Sequence, residues 1–117
     1  MSMDKVTMMT LLCDFYGQLL TKRQQKFIEL YYGNDYSLGE IAENYGVSRQ
    51  AVYDTLKRAE STLRNYERKL GLIDKFLKQR NKLAEAARLL EEHNKNSPGR
   101  IARAREILQE ILEMDRG

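Results

Sequence analysis

Apolar residues recur at helical spacing along most of the chain, and no tract alternates with a period of two, so the pattern predicts helices and no strands. A first helix is expected over 5–19, carried by Met8, Leu12, Phe15 and Leu19, with Gly17 near its end. The second begins at Thr21, where Thr21 and Gln24 have the spacing of a capping box; Phe27, Ile28, Leu30 and Tyr31 form its apolar side, and Gly33-Asn34-Asp35 stops it. The third begins at Ser37, again with a capping box to Glu40. It lines Leu38, Ile41, Ala42 and Tyr45 on one face and ends at Gly46, the expected left-handed residue.

A fourth helix begins at Ser48 and places Val52, Leu56, Ala59 and Leu63 on one side. Nothing interrupts it before Leu70-Gly71, a reach of roughly 34 Å, so its second half is expected to project beyond the core. From Leu72 to about Asn94 the apolar set is Ile73, Phe76, Leu77, Leu83, Ala87 and Leu90. Asn94 to Gly99 is expected as a turn. Ser97 then caps a last helix with Pro98 at its first position and a stripe of Ile101, Ala104, Ile107, Leu108, Ile111 and Leu112. The expected architecture is all-α: a helix-turn-helix bundle over 1–70, and a C-terminal helical hairpin over 71–117 for packing or dimerisation.

Residues 37–59 meet the spacing that a helix-turn-helix demands. Ala42 is the small residue that admits a close neighbour, and Gly46, four residues on, is the turn. Val47 and Val52 lock the pair, and Ser48-Arg49-Gln50 opens the second helix with short or polar side chains. The face left over carries Arg49, Gln50, Tyr53, Asp54, Lys57 and Arg58. Arg and Gln suit bidentate contacts to guanine and adenine. Ser48 and Lys57 suit phosphates, helped by the helix N-terminus. Asp54 repels DNA unless it meets a cytosine amino group or pairs with Lys57 or Arg58. The candidate nucleic-acid site is therefore Ser48, Arg49, Gln50, Tyr53, Asp54, Lys57 and Arg58, and solvated charge is the simpler role for Arg49 and Lys57.

The charge balance adds little to this. Net charge is +3, with residues 1–36 net zero, 37–70 net +1 and 71–117 net +2, so there is no strong basic footprint and the motif itself must carry the argument. Cys13 is the one cysteine, expected as a buried thiol, and excludes an intrachain disulfide. No apolar run has the length of a signal sequence or a membrane span, which points to the cytoplasm. His93 is a lone histidine, far short of a zinc ligand set. No phosphate loop or catalytic constellation can be assembled, so neither enzymatic activity nor a cofactor is expected. Tyr31, Tyr32 and Tyr45 fall on or beside packing faces, whereas Tyr36, Tyr53 and Tyr66 are freer. The last helix starts with Arg100, Arg103 and Arg105 and ends with Glu106, Glu110, Glu113 and Asp115, the reverse of what its dipole favours. That order suits an antiparallel partner such as the basic stretch Lys75, Lys78, Arg80, Lys82 and Arg88, within the chain or across a dimer.

The runs Leu20-Thr21-Lys22-Arg23-Gln24, Tyr36-Ser37-Leu38-Gly39-Glu40-Ile41-Ala42-Glu43, Gly46-Val47-Ser48-Arg49-Gln50-Ala51-Val52 and Leu56-Lys57-Arg58-Ala59 resemble the promoter-reading region 4 of bacterial sigma factors, over roughly 18–65. Over its whole length the chain is more similar to the YlxM family, most tellingly in Met9-Thr10-Leu11-Leu12-Cys13-Asp14-Phe15-Tyr16 and Ser48-Arg49-Gln50-Ala51-Val52-Tyr53-Asp54. The resemblance implies a DNA-binding regulator linked, through the neighbourhood of its gene, to the signal recognition particle pathway. It sets nucleic acid (DNA ahead of RNA), particle components and a second copy of the chain as the expected partners. The sigma-factor segments that bind core polymerase and melt DNA have no counterpart here, so a working sigma factor is not implied. The alternative is an accessory factor that docks on particle protein or RNA without specific DNA binding.

Overall fold

The structure, a computed structural model, describes residues 3–91 and 98–114. The described residues form α1 (Lys5–Tyr16), a 3₁₀ turn (Gly17–Leu19), α2 (Lys22–Ile28) running into a π-helical turn (Glu29–Gly33), α3 (Leu38–Tyr45), α4 (Arg49–Leu70), α5 (Leu72–Glu91) and α6 (Pro98–Met114). No strand occurs among them. The expectations placed on His93, Ser97 and Asp115, and most of the turn over 94–99, lie outside the described residues. The chain divides into two compact units, 1–73 and 74–117.

Helix starts in the first unit follow from local chemistry. Thr21 Oγ1 accepts from the Gln24 N–H at 3.1 Å while Gln24 Oε1 accepts from the Thr21 N–H at 3.0 Å. Ser37 and Glu40 repeat this reciprocal cap at 3.0 Å in both directions. Those bonds hold the Glu40 carboxyl below its ordinary range, the Ser37 backbone N–H contributing most. Asp4 caps α1 by accepting from the Thr7 N–H at 2.8 Å, a role that the apolar pattern does not reveal.

The core of this unit is Met9, Leu12, Tyr16, Leu20, Phe27, Ile28, Leu30, Ile41, Ala42, Val52, Leu56, Ala59, Leu63 and Ile73. The inner stripe of α1 is therefore Met9, Leu12 and Tyr16, not the expected Met8, Leu12, Phe15 and Leu19; Phe15 and Leu19 are exposed. Both stripes are apolar at helical spacing, and a polar contact distinguishes them. Tyr16 buries its ring and donates its hydroxyl to Glu67 Oε1 at 2.6 Å, while the Leu72 N–H donates to the Tyr16 hydroxyl at 3.2 Å. Phe15, lacking a hydroxyl, could not complete that bridge. Glu67 Oε1 also accepts from the Ile73 N–H at 2.9 Å, so one carboxylate serves the start of α5 and the tip of Tyr16. Tyr66 stacks on Tyr16, with centroids 5.9 Å apart, and is not the free tyrosine expected.

The second half of α4 does not project. Ala59 and Leu63 are buried, Lys5 of α1 pairs with Glu60 at 3.1 Å, and Tyr16 reaches Glu67. The helix is long because α1 covers its far half. Cys13 is only half-buried, one position off the inner stripe, and lines a cavity of about 380 Å³ with Met9, Leu20 and Ile28. Partial burial pushes its thiol up from the ordinary range.

In the second unit, Ala86 of α5 packs with Ala104 and Ile107 of α6, flanked by Leu89 and Ile111. Lys82 pairs with Glu110, and Arg103 reaches Glu106 at 3.2 Å and Glu110 at 3.6 Å. The reversed charge order of α6 is thus matched within the chain, and the Lys82 ammonium holds the Glu110 carboxyl below its ordinary range. The apolar sets expected for these helices are split. Ile101, Leu108 and Leu112 of α6 are exposed, as are Phe76, Leu83, Ala87 and Leu90 of α5, while Ala86 occupies the inner face.

Tyr16→Phe removes the hydroxyl from Glu67 and from the start of α5, leaving a part-buried carboxylate with one partner fewer. The expected loss is about 1–2 kcal/mol by denaturant titration. Burial first, then the Glu67 acceptor, raises the Tyr16 hydroxyl above its ordinary value of 10.0. This contribution is therefore complete below pH 10 and disappears as pH rises through the raised value. The variant should show a shallower alkaline decline than the parent; an equal decline in both would assign the loss to other groups.

Candidate nucleic-acid interface

The turn between α3 and α4 is built from backbone. Gly46 adopts φ 64 and ψ 36. Its N–H donates to the Glu43 carbonyl at 3.4 Å and the Val47 N–H to the Ala42 carbonyl at 3.0 Å, the closure that a left-handed residue makes at a helix end. Ser48 follows in extended conformation, and its Oγ accepts from the Ala51 N–H at 3.0 Å to start α4. Ile41 and Ala42 meet Val52 and Leu56 in the core, so α4 is fixed by one face and presents the other.

The outer face of α4 is organised by contacts among its own side chains. Gln50 Nε2 donates to Asp54 Oδ1 at 2.9 Å, so the partner of Asp54 is Gln50 rather than the expected Lys57 or Arg58. Lys57 is not simply solvated: its ammonium lies 5.5 Å from the centre of the exposed Tyr53 ring. Arg58 is exposed on the same outer face. Arg49 behaves differently. Its guanidinium lies across the first turn of α3, where a Cβ on Gly39 would stand 3.0 Å from Arg49 Nε and 3.1 Å from Nη2. The structure thus gathers Gln50, Tyr53, Asp54 and Lys57 into two side-chain pairs, sets Ser48 at the helix start and draws Arg49 toward α3.

The sequence reading missed two features. One is Gly39, whose missing side chain makes room for Arg49; a lone glycine at the second position of a helix gives no sign of this before the fold is known. The other is a small groove of about 130 Å³ beside Tyr53 and Lys57, lined also by Tyr31, Tyr32, Leu38 and Lys5. Tyr31 lies at the exposed edge there, with its ring edge-on to Tyr32 at 5.0 Å. The π-helical turn over Glu29–Gly33 shifts the register of the pair in a way that a regular helix would not. Tyr45 does pack, meeting Phe27 edge-on at 4.9 Å, with the Arg23 guanidinium 5.7 Å from both rings.

A capped helix, a left-handed turn and a second capped helix with a polar outer face define a helix-turn-helix protein. Among the described residues no three His, Cys, Asp or Glu side chains gather to hold a metal ion, and no helix is long and apolar enough to cross a membrane. The chain belongs to the UPF0122 family: residues 3–107 match the family model described as "Putative helix-turn-helix protein, YlxM / p13 like". It is 58% identical over 104 residues to a UPF0122 protein of Desulforamulus reducens, covering 88% of this chain and 89% of that one. It is 47% identical over 116 residues to a UPF0122 protein of Acetivibrio thermocellus, covering 95% and 99%. With UPF0122 protein YlxM of Bacillus subtilis the identity is 54% over 90 residues, covering 74% and 82%.

Two glycines separate turn geometry from site geometry. Gly46→Ala forces a side chain into the left-handed region and is expected to cost about 1 kcal/mol of stability. Gly39→Ala meets only the far end of a flexible arginine, so stability should hold or rise by about 0.5 kcal/mol while the guanidinium moves off α3. Thermal denaturation of the two variants checks this, and a Gly39→Ala protein less stable than Gly46→Ala would contradict it.

Proposed function

We propose that this protein is a nucleic-acid-binding regulator that acts as a homodimer in the cytoplasm, with DNA favoured over RNA. Its contacts come from the start of α4: Ser48, Arg49, Gln50, Tyr53, Lys57 and Arg58, with Asp54 tuning Gln50. The observation that supports this best is the capped N-terminus of α4, held from behind by Ile41, Ala42 and Val52 and free on its polar side. That is the arrangement by which such a helix enters a major groove. A phosphate approaching Lys57 competes with the Tyr53 ring. A base edge approaching Gln50 competes with Asp54 for the same amide protons.

Asp54 favours a second reading. A carboxylate in the middle of the presented face, on a chain of net charge +3, also suits docking on protein of the signal recognition particle, with the particle's RNA reached through that protein. Binding to genomic DNA fragments at several salt concentrations separates the two. Under the first reading Arg49→Ala weakens binding by about 1–3 kcal/mol and relaxes sequence preference, while Lys57→Ala weakens it across sequences and lowers the salt slope by about 1. Recovery of particle protein or RNA from cells, unchanged by Arg49→Ala and with no enriched DNA, would replace the first reading by the second.

A further inference from the structure

The hairpin of α5 and α6 has more apolar surface than its own packing uses. The faces that meet carry Ala86 and Leu89 on α5, and Ala104, Ile107 and Ile111 on α6. Away from them lie Leu83, Leu90, Ile101, Leu108 and Leu112, each 40 to 60% exposed. On α5 the spacing of Leu83 and Leu90 is seven residues, and exposed Phe76 extends it by seven more toward the N-terminus; on α6 Ile101 and Leu108 repeat it. Seven-residue spacing keeps a stripe on one side of a helix.

Where the stripes point follows from helix geometry. At about 100° per residue, the exposed stripe of each helix lies roughly a quarter turn from that helix's inner face, in the same rotational sense on both. The helices run antiparallel, since Lys82 meets Glu110 while Ala86 meets Ala104 and Ile107. The same rotation on two antiparallel helices carries both stripes to the same side. The hairpin therefore has one continuous apolar face, on the order of 500 Å² of side chain, the size of a functional patch and most of one partner's share of a stable interface.

We infer that this face closes on the same face of a second copy, giving an antiparallel four-helix bundle of two hairpins. Two observations select a copy as the occupant. The face suits a two-fold partner in area and in its seven-residue repeat. The charges are also self-complementary: α5 is basic at Lys75, Lys78, Arg80 and Lys82 and acidic later at Glu85 and Glu91, and α6 runs from Arg103 and Arg105 to Glu110 and Glu113. Only Asp74, paired with Lys78 at 2.9 Å, and Arg88 run against this order. Any antiparallel neighbour of either helix, from the chain or from a copy, then sets basic halves beside acidic halves. This inference identifies the interface of the dimer proposed above, and its test uses no nucleic acid, so its failure is distinct from failure of the nucleic-acid reading.

Sedimentation equilibrium of the full chain at micromolar concentration should give a dimer. Leu83→Arg and Leu108→Arg, both at exposed positions, should each weaken it on the order of a hundredfold with helicity by circular dichroism unchanged. Leu19→Arg, on an exposed apolar residue of the first unit, should leave the dimer intact. Should arginine unfold the hairpin, cysteine pairs keep the question open to measurement. In a Cys13→Ser background, Leu83→Cys alone or mixed with Leu108→Cys should form interchain disulfides under mild oxidation, and Leu19→Cys should not. A monomeric parent, which would leave the face to some other protein, overturns the inference. So does a dimer that withstands both arginine variants, or crosslinking by Leu19→Cys alone.

Discussion

Gly46 leaves α3 in the left-handed region, and the next two residues are already committed: Val47 returns its N–H to Ala42 and Ser48 caps α4. The direction of α4 is fixed at that point, because the buried contacts behind the turn admit little adjustment. Ala42 is 6% exposed, and Ile41 and Val52 are fully buried. Interiors this dense tolerate small residues only where two backbones approach, and a larger side chain at 42 would lever the helices apart. Because α4 is one uninterrupted helix of 22 residues, the direction set at Gly46 is carried unchanged to Leu70. There α1 closes over it through Lys5–Glu60 and Tyr16–Glu67. The presented face and the far packing of α4 both depend on one turn.

The presented face is partly satisfied before any ligand arrives. Gln50 serves Asp54, Lys57 lies over Tyr53, and Arg49 lies against the first turn of α3. An exposed cation–π contact is worth roughly 0.5–1 kcal/mol, so under the proposed function Lys57 would exchange Tyr53 for a charge-assisted bond to phosphate with a net gain. The resting contacts keep long side chains ordered, which under the proposed function would reduce the entropy lost on binding. They also limit what the face can hold. Under the proposed function, a carboxylate beside Gln50 would oppose every nearby phosphate, which would keep electrostatic affinity low and leave more of the selectivity to shape and base edges.

Local chemistry was the most legible part of the chain. Capping at Thr21, Ser37 and Ser48 and the left-handed Gly46 depend on residues within four positions of one another, so a short window contains their cause. The register of α1 was not legible, because Met8 and Met9, or Phe15 and Tyr16, fit the same periodicity. The choice between them is made by Glu67, 51 residues from Tyr16. The packing of the far half of α4 was hidden for the same reason: α1 covers it from the other end of the unit. At the site, the residue types on the outer face could be named from spacing. Their pairing could not, since Asp54 had three candidate partners within helical reach and only geometry favoured Gln50.

The hairpin shows a different limit of the apolar pattern. Periodicity gathers Ile101, Ala104, Ile107, Leu108, Ile111 and Leu112 into one stripe, yet a helix in a two-helix hairpin can bury only one side against its neighbour. The inner side is chosen by volume: Ala86 and Ala104 let the two backbones approach, and Ile107 fills the space between them. What remains is a second arc that hydration penalises at about 25 cal/mol per Å² while it faces water. An apolar arc wider than one neighbour can cover is the mark of a helix that is buried on two sides. With two alanines and one isoleucine fully buried at its centre, the hairpin has little core of its own and a full second face from which stability can come.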